Sequence, residues 1–339
     1  MQVTSSGSVR VDLVGGTLDI EPINLILENV ITLNVATSLK ANVELIKTDF
    51  DGVEIHSEDY GKIYSWKSSE LTTHNILYTD MFKEMSFILQ ILVLFKINSH
   101  LRINLTSGAP AGSGLGGSSA MGVTLYKALC AFTNTDFDVT TAVQRVKGVE
   151  SRILNQGVAG FQDYYPALTG GILGIVGREG YIEVEQLYTP ELKAYLEKHL
   201  TLIYSGQSRA SGINNWEVYK GFFDKKSEII SGLKTIAEIS YQTYLAIKDK
   251  RYEEVAPLIA REGVAREDLF PGIATEKIKD FVKEVKLESD VFGTKMCGAG
   301  GGGCFLLIHN GESHELIASK AEKFGMKVLS FQIELPLQG

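Results

Sequence analysis

The sequence predicts an α+β protein of two domains. Its 339 residues exceed the usual length of a single domain. Stretches of alternating apolar residues and stretches of helically spaced ones succeed each other along the whole chain. Near the middle, a glycine-rich stretch, PAGSGLGGSSA from Pro110 to Ala120, separates a strand pattern from a helix pattern. Hydrophobic residues at 44% and charged residues at 22% supply an ordinary soluble core and surface. A net charge of −8 and a pI near 5.4 argue against sequence-independent binding to nucleic acid or to an anionic membrane.

Taken in order, Ser8 to Val14 reads as a strand, with Arg10 and Asp12 on one face and Val11 and Leu13 on the other. Gly15-Gly16 ends it. Leu25 to Val35 and Ala41 to Ile46 read as strands, with Asp51-Gly52 as a hairpin signal. Ser69 to Ile97 turns helical. Leu101 to Leu105 alternates as a half-buried strand, and Met121, Leu125, Ala128, Leu129 and Phe132 then recur at helical spacing. Thr140 or Thr141 caps a helix running to about Leu154, which carries Glu150. Residues 157–171 are irregular, and Ile172 to Val176 is a short strand. A domain boundary is expected near residue 180, giving domains 1–180 and 181–339. In the second, Leu200 to Tyr204 is strand-like, Lys225 to Asp249 and Thr275 to Val285 are helical, and Phe305 to Ile308 is a strand. Ser313 to Phe324 is a helix, and Lys327 to Glu334 a closing strand.

The three cysteines, Cys130, Cys297 and Cys304, make no disulfide framework and fit a reducing compartment. The N-terminus lacks a basic region followed by a long apolar one. Phe87 to Ile97 is interrupted by Gln90 and Lys96 and is too short to span a bilayer. The expected location is the cytoplasm.

The central stretch carries the chemistry. Gly112, Gly114, Gly116 and Gly117 let a ligand reach the backbone and tolerate positive φ. Ser118 and Ser119 fall where the helix begins, placed to cap free N–H groups or to contact a phosphate or its metal. A helix N-terminus approached by glycines is an anion site, and a nucleotide phosphate is the anion expected. It is not a Walker A loop, since no Gly-Lys-Ser/Thr follows. A flexible connector would not be flanked at once by a strand and a periodic helix. The second cluster, CGAGGGG, formally contains Gly298-x-Gly300-x-x-Gly303, but a strand follows it where a dinucleotide fingerprint needs a helix. It reads better as a loop packed on another loop or on a ligand.

Phosphoryl transfer also needs a metal, a base and a balance for developing charge. Ser118 and Glu150 are candidate magnesium ligands, because magnesium takes one or two oxygens from protein. Asp163 sits among Phe161, Tyr164, Tyr165 and Pro166, where partial burial would tune its basicity. Taken singly, Glu150 fits a solvated helix face, Asp163 a turn or helix cap, and Arg10 a surface cation. The six histidines show no metal-ligand spacing and read as surface or edge residues.

Together, SVRVDLVGGTLD, PAGSGLGGSSA, the intervening Glu150, GFQDYY and KMCGAGGGGCF closely resemble the GHMP small-molecule kinases. That family includes galactokinases, homoserine kinases, mevalonate kinases and phosphomevalonate kinases. QDYYPALTGG and YSGQSRAS look most like its sugar-1-kinase branch, especially heptose-7-phosphate kinases and fucokinase-like enzymes. The resemblance implies an N-terminal βαβ-containing nucleotide domain, a C-terminal ferredoxin-like domain and an active site between them. It implies ATP and Mg2+, with Pro110, Gly112, Ser113, Gly114, Leu115, Gly116, Gly117, Ser118 and Ser119 around the nucleotide and Ser118 and Glu150 on the metal. Asp163 matches the acidic residue regarded as catalytic base and Arg10 the cation supporting it. Asp19 matches an aspartate holding substrate hydroxyls, with Gly16, Thr17, Gly300 and Gly301 beside the substrate.

Two departures stand out. Gly117 replaces a common serine, and Thr17-Leu18 fills the third and fourth places of a motif that usually runs Gly-Gly-Gly-Thr-Asp. The reaction implied is phosphorylation of a sugar hydroxyl, the anomeric one of a hexose or heptose derivative, by a monomer or homodimer. A kinase for a non-sugar alcohol such as mevalonate is the enzymatic rival. A silent nucleotide- and sugar-binding sensor is the other, and Arg10, Glu150 and Asp163 occurring together argue against it.

Overall fold

The computed structural model describes every residue except 155–158, 208–214, 312 and 338–339. The chain folds as two units, each discontinuous in sequence. The first comprises Met1–Val9, Leu39–Ala111 and Gly116–Leu168, and the second Arg10–Ser38, Gly112–Leu115 and Thr169–Gly339. The central glycine loop is thereby divided: Gly112 to Leu115 belongs to the second unit, and the helix that follows belongs to the first.

Five strands open the chain: β1 (Gln2–Val14), β2 (Thr32–Lys47), β3 (Gly52–Ser57), β4 (Lys62–Lys67) and β5 (Leu101–Ser107). In the first unit the order is β4-β3-β5-β2, with β3 parallel to β5 and the other pairs antiparallel. Leu101, Ile103 and Leu105 are buried while Arg102, Asn104 and Thr106 between them are half-buried, the period-2 pattern that fixes the register of β5. The helices Ser86–Leu94, Gly117–Thr133 and Val139–Leu154 pack on one another at Gly122. A Cβ there would lie 2.6 Å from Phe87 and 2.7 Å from Val146, so only glycine admits this spacing.

Six more strands lie in the second unit: β6 (Ile172–Arg178), β7 (Tyr181–Gln186), β8 (Leu200–Tyr204), β9 (Val291–Met296), β10 (Cys304–His309) and β11 (Lys327–Val328). The first residues of β2 pair with β6, and β6 with β7, all antiparallel. The remaining strands form an antiparallel sheet in the order β11-β8-β10-β9. Helices separate β8 from β9 and β10 from β11, so this is the split βαβ arrangement of ferredoxin-like domains. Its core joins Ile203, Phe305 and Leu307 of the sheet to Leu233, Ile236, Ile278, Phe281 and Ile317 of the helices. Among the described residues no helix is long and apolar enough to cross a membrane.

Several local expectations are corrected. Leu25–Val35 is not one strand: Ile23–Ile26 is a helical turn with Leu25 and Ile26 exposed, and Asn29 at φ +57° reverses the chain before β2 begins. From there β2 runs unbroken through Ala41–Ile46. Asp51-Gly52 leads into β3 without making a hairpin, because β3 pairs with β4 and β5 instead of β2. The cap of the Val139–Leu154 helix is Asp138, whose Oδ2 accepts the Thr141 N–H at 2.7 Å. The closing strand stops at Val328, and Ile333 makes only an isolated bridge to Thr37. Within 157–171, Tyr165–Thr169 is a short helix. The first two residues of the irregular stretch, Gly157 and Val158, and the end of YSGQSRAS from Ser208 lie outside the described residues.

Candidate active site

In the first unit the helix after the glycine loop starts at Gly117, with Gly116 as N-cap at φ 70°, ψ 25° and no side-chain cap. The N-cap residue itself thus offers no side chain to the backbone N–H groups of the first turn. Gly116 is required twice. Its φ lies in the left-handed region, and a Cβ would stand 3.0 Å from Asp163 Cγ. The half-buried Asp163 is thereby brought directly against the residue that opens the helix.

Ser118 is exposed, whereas Ser119 is buried and donates its hydroxyl to Glu150 Oε2 at 2.8 Å. Tyr164 donates to the same oxygen at 2.7 Å. Burial pushes the Glu150 carboxyl above its ordinary value, against the Tyr164 and Ser119 hydroxyls, while the Asp163 charge raises it further and Ser118 lowers it. Burial and the Glu150 charge likewise push the Tyr164 phenol well up. Ser118, Ser119, Glu150, Asp163 and the helix start thus form one oxygen-rich group.

In the second unit Arg10 is buried, at 3% exposure, rather than lying on the strand surface. Its Nη1 donates to Gly114 O at 2.6 Å, and its backbone N–H to Leu115 O at 3.1 Å, so the side chain and the main chain both hold the loop. The second glycine cluster is the hairpin between β9 and β10, which excludes a dinucleotide fingerprint. Cys297 N–H donates to Cys304 O at 2.9 Å at its base, and Cys304 N–H donates to Ser113 O at 2.7 Å. A Cβ on Gly114 would lie 2.6 Å from Cys297 O, and one on Gly303 2.7 Å from Ser113 O. Glycine meets glycine here because main chain packs directly on main chain. Gly300 and Gly301 both have positive φ within this hairpin. Burial pushes the Cys297 thiol to about 12 and raises those of Cys304 and Cys130.

Gly16, Thr17 and Asp19 are all buried, and Thr17 holds φ at +77°, a strained value for a β-branched residue. Beneath them lies a cluster that sequence reasoning missed. Lys295 Nζ stands 3.1 Å from Asp12 Oδ2 and 3.3 Å from Glu262 Oε2, and Arg266 Nη1 stands 3.7 Å from Asp12 and 3.9 Å from Glu262. All four side chains are 3% exposed or less. Burial drives the Asp12 carboxyl upward, but Lys295, Arg10 and Arg266 together outweigh it and hold Asp12 below its ordinary value. At Glu262 burial prevails and the carboxyl is raised. The available signal was Glu262 and Arg266 at i, i+4 in VAPLIAREGVAREDL, with Gly263 between them. A Cβ at Gly263 would strike Thr294 O, so that glycine lets the helix close on β9.

His309 is fully buried, unlike the surface or edge residue expected. Its Nδ1 accepts the Gly311 N–H at 3.1 Å and its Nε2 donates to Thr201 Oγ1 at 2.9 Å. Burial, then the charges of His314 and His199, lower its pKa to about 4.

Residues 82–171 match the GHMP kinases N terminal domain and residues 244–326 the GHMP kinases C terminal domain, together about half of the chain. A bifunctional fucokinase/GDP-fucose pyrophosphorylase from Arabidopsis thaliana is 25% identical over 350 residues, covering 96% of this chain and 32% of the relative. The chain therefore spans about a third of that relative's length. The crystal structure of the Methanococcus jannaschii mevalonate kinase aligns with a TM-score of 0.75 at 21% identity, covering 98% of both chains. That of a D-glycero-D-manno-heptose 1-phosphate kinase from Bacteroides thetaiotaomicron aligns at 0.74 and 20%, covering 98% of this chain and 97% of the other. Both likenesses bear out the two-domain α+β fold. With its N- and C-terminal regions both matched, this chain belongs to the GHMP kinases.

Proposed function

We propose that this chain is an ATP-dependent kinase acting on the anomeric hydroxyl of a hexose or heptose derivative. The observation carrying this reading is the Asp163 carboxylate set against Gly116, the residue that opens a helix N-terminus. An anion site and a base in direct succession are what phosphoryl transfer to an alcohol requires. The first-turn N–H groups receive the phosphates, and Asp163 orients the acceptor hydroxyl and takes its proton. Arg10, tied to Gly114 O, holds the loop and balances charge. Asp19, with Gly16, Thr17, Gly300 and Gly301, serves the sugar. The carboxylate and hydroxyls of Glu150, Ser118 and Ser119 are hard oxygen donors of the kind magnesium accepts. These residues would hold Mg2+, which supplies neutralisation of phosphate charge. The fucokinase relative's name favours a sugar as acceptor. Three buried free thiols suit a reducing compartment, and we place the reaction in the cytoplasm.

The test is ADP release with fucose, galactose, mannose, heptose phosphates and mevalonate as acceptors, followed by product NMR to identify the phosphorylated oxygen. Turnover with mevalonate alone would replace the sugar reading. Asp163→Asn, which keeps the shape and removes the charge, is expected to lower turnover by about two to four orders of magnitude while ATP still binds. Near-wild-type turnover in that variant would leave Asp163 a structural cap and move the search for the base to Asp19.

A further inference from the structure

One helix, Val255–Leu269, reaches two glycine-rich turns of the second unit with two side chains one turn apart. Glu262 Oε1 accepts the Gly15 N–H at 3.3 Å. Arg266 Nη2 donates to Gly298 O at 2.9 Å. Gly16 lies so close to Arg266 Nη1 and Asp12 Oδ2 that a Cβ there would strike both. The turn leading to Thr17 and Asp19 and the hairpin beginning at Gly298 are thus fastened to a single rigid element through two buried charged groups. Lys295, just before the hairpin, and Asp12, just before the turn, close the same cluster from the strand side.

We propose that Glu262 and Arg266 are positioning residues for the acceptor side of the reaction. They fix the Gly15–Asp19 turn and the Gly298 hairpin in one geometry, so that Asp19 meets the acceptor in a preset place. This rests on the assignment of Asp19 and its neighbours to the sugar. The physical grounds are three. Thr17 is held at φ +77°, a conformation that must be imposed by its surroundings. The fastening bonds involve charged groups, which are stronger than neutral ones. Both carboxylates and both cations are out of water, so the arrangement is fixed by mutual contact and admits few alternatives. Two buried charges of each sign also explain why the cluster persists despite the loss of hydration.

The experiment uses the full chain and two readouts, one independent of activity. Amide hydrogen exchange is followed in peptides spanning 13–22 and 297–304, with the 117–133 helix as internal control. The kcat and KM values are measured for ATP and for whichever sugar is turned over in the acceptor panel. For Arg266→Met we expect exchange in both segments to rise about tenfold with the control unchanged. We expect the sugar KM to rise about tenfold, with the ATP KM within about twofold of wild type. Arg266→Lys, which keeps the charge, should recover part of both effects. Removing one charge alone can unfold the chain, so Glu262→Gln/Arg266→Met, which removes one of each sign, supplies the second variant. Unchanged exchange in both segments of a folded variant would overturn the proposal. Faster exchange with an unaltered sugar KM in Arg266→Met would overturn its functional half, and an unaltered sugar KM in Asp19→Asn would take the turn away from the substrate. Failure of wild-type enzyme to phosphorylate any sugar would instead defeat the sugar reading, and the exchange data would still decide whether the helix fixes the two turns.

Discussion

Asp12 is a fully buried carboxylate and Glu150 a half-buried one, and their surroundings differ in kind. Asp12 is ringed by cations, Lys295, Arg10 and Arg266, and its carboxyl is held low. The largest influences on Glu150 are burial, the Tyr164 and Ser119 hydroxyls and the Asp163 carboxylate, and its carboxyl is raised. Desolvation acts on both, but charge–charge attraction overcomes it only at Asp12. In the Asp12 cluster, opposite charges offset one another within the fold. At Glu150 the Asp163 charge adds to the effect of burial instead of opposing it. On the function proposed above, the same residue type serves cohesion in one place and cation capture in the other.

The largest effect should come from breaking that balance. Lys295→Met leaves Asp12 and Glu262 facing each other with one cation fewer, and we expect a loss of about 3–5 kcal/mol in urea unfolding. Asp12→Asn/Lys295→Met, which removes one charge of each sign, should recover most of that loss. If the double variant is as unstable as the single, the cluster is held by shape and not by charge.

At the other carboxylate the expectation reverses. Glu150→Gln keeps acceptor and donor atoms for Ser119 and Tyr164 and removes a charge that burial disfavours. Stability should stay within about 1 kcal/mol of wild type, or rise slightly. The magnesium concentration for half-maximal turnover should increase by about 10- to 100-fold. A marked loss of stability with unaltered magnesium dependence would make Glu150 a structural residue and erase the contrast.

The smallest effect is in the pH dependence, measured without magnesium. The Asp12 carboxyl is depressed from 3.8, so its stabilisation is complete above that pH and is lost as pH falls through the folded-state value. The Glu150 carboxyl is raised from 4.5, so wild type should lose stability relative to Glu150→Gln as pH rises from 4.5 through the folded-state value. Urea midpoints of Glu150→Gln, Asp12→Asn/Lys295→Met and wild type between pH 2 and 8 check the two signs. Equal slopes at Glu150 and Asp12 would refute the distinction.

The strand, loop and helix around Gly112–Ser119 were legible because glycine content and apolar period act over short distances. Arg10, Glu150 and Asp163 could be picked out through motif resemblance, since each alone fits a common structural role. The Asp12 cluster was not legible. Glu262 and Arg266 at i, i+4 look like any solvated helix face, and only the close approach of their helix to β9 buries them. That approach depends on Gly263 and on Gly293, where a Cβ would stand 3.1 Å from that of Ala260. Both serines act on Glu150, but only Ser119 is buried against it, at 2.8 Å, a division between neighbouring hydroxyls that the sequence does not reveal. The break of Leu25–Val35 into a helical turn and a strand was likewise hidden, because an apolar run alone does not distinguish the two.

The glycine hairpin has a practical side. Its two flanking cysteines and Cys130 are buried, and burial keeps all three thiols protonated at neutral pH. A thiolate is the species that reacts with maleimides and iodoacetamides. The folded chain is therefore nearly silent toward these reagents without any cysteine being replaced. A single cysteine introduced at an exposed position such as Tyr60 or Leu287 would take a dye or spin label alone. The native thiols would then report the reverse event, since labelling at Cys297 or Cys304 would mark the opening of the hairpin itself.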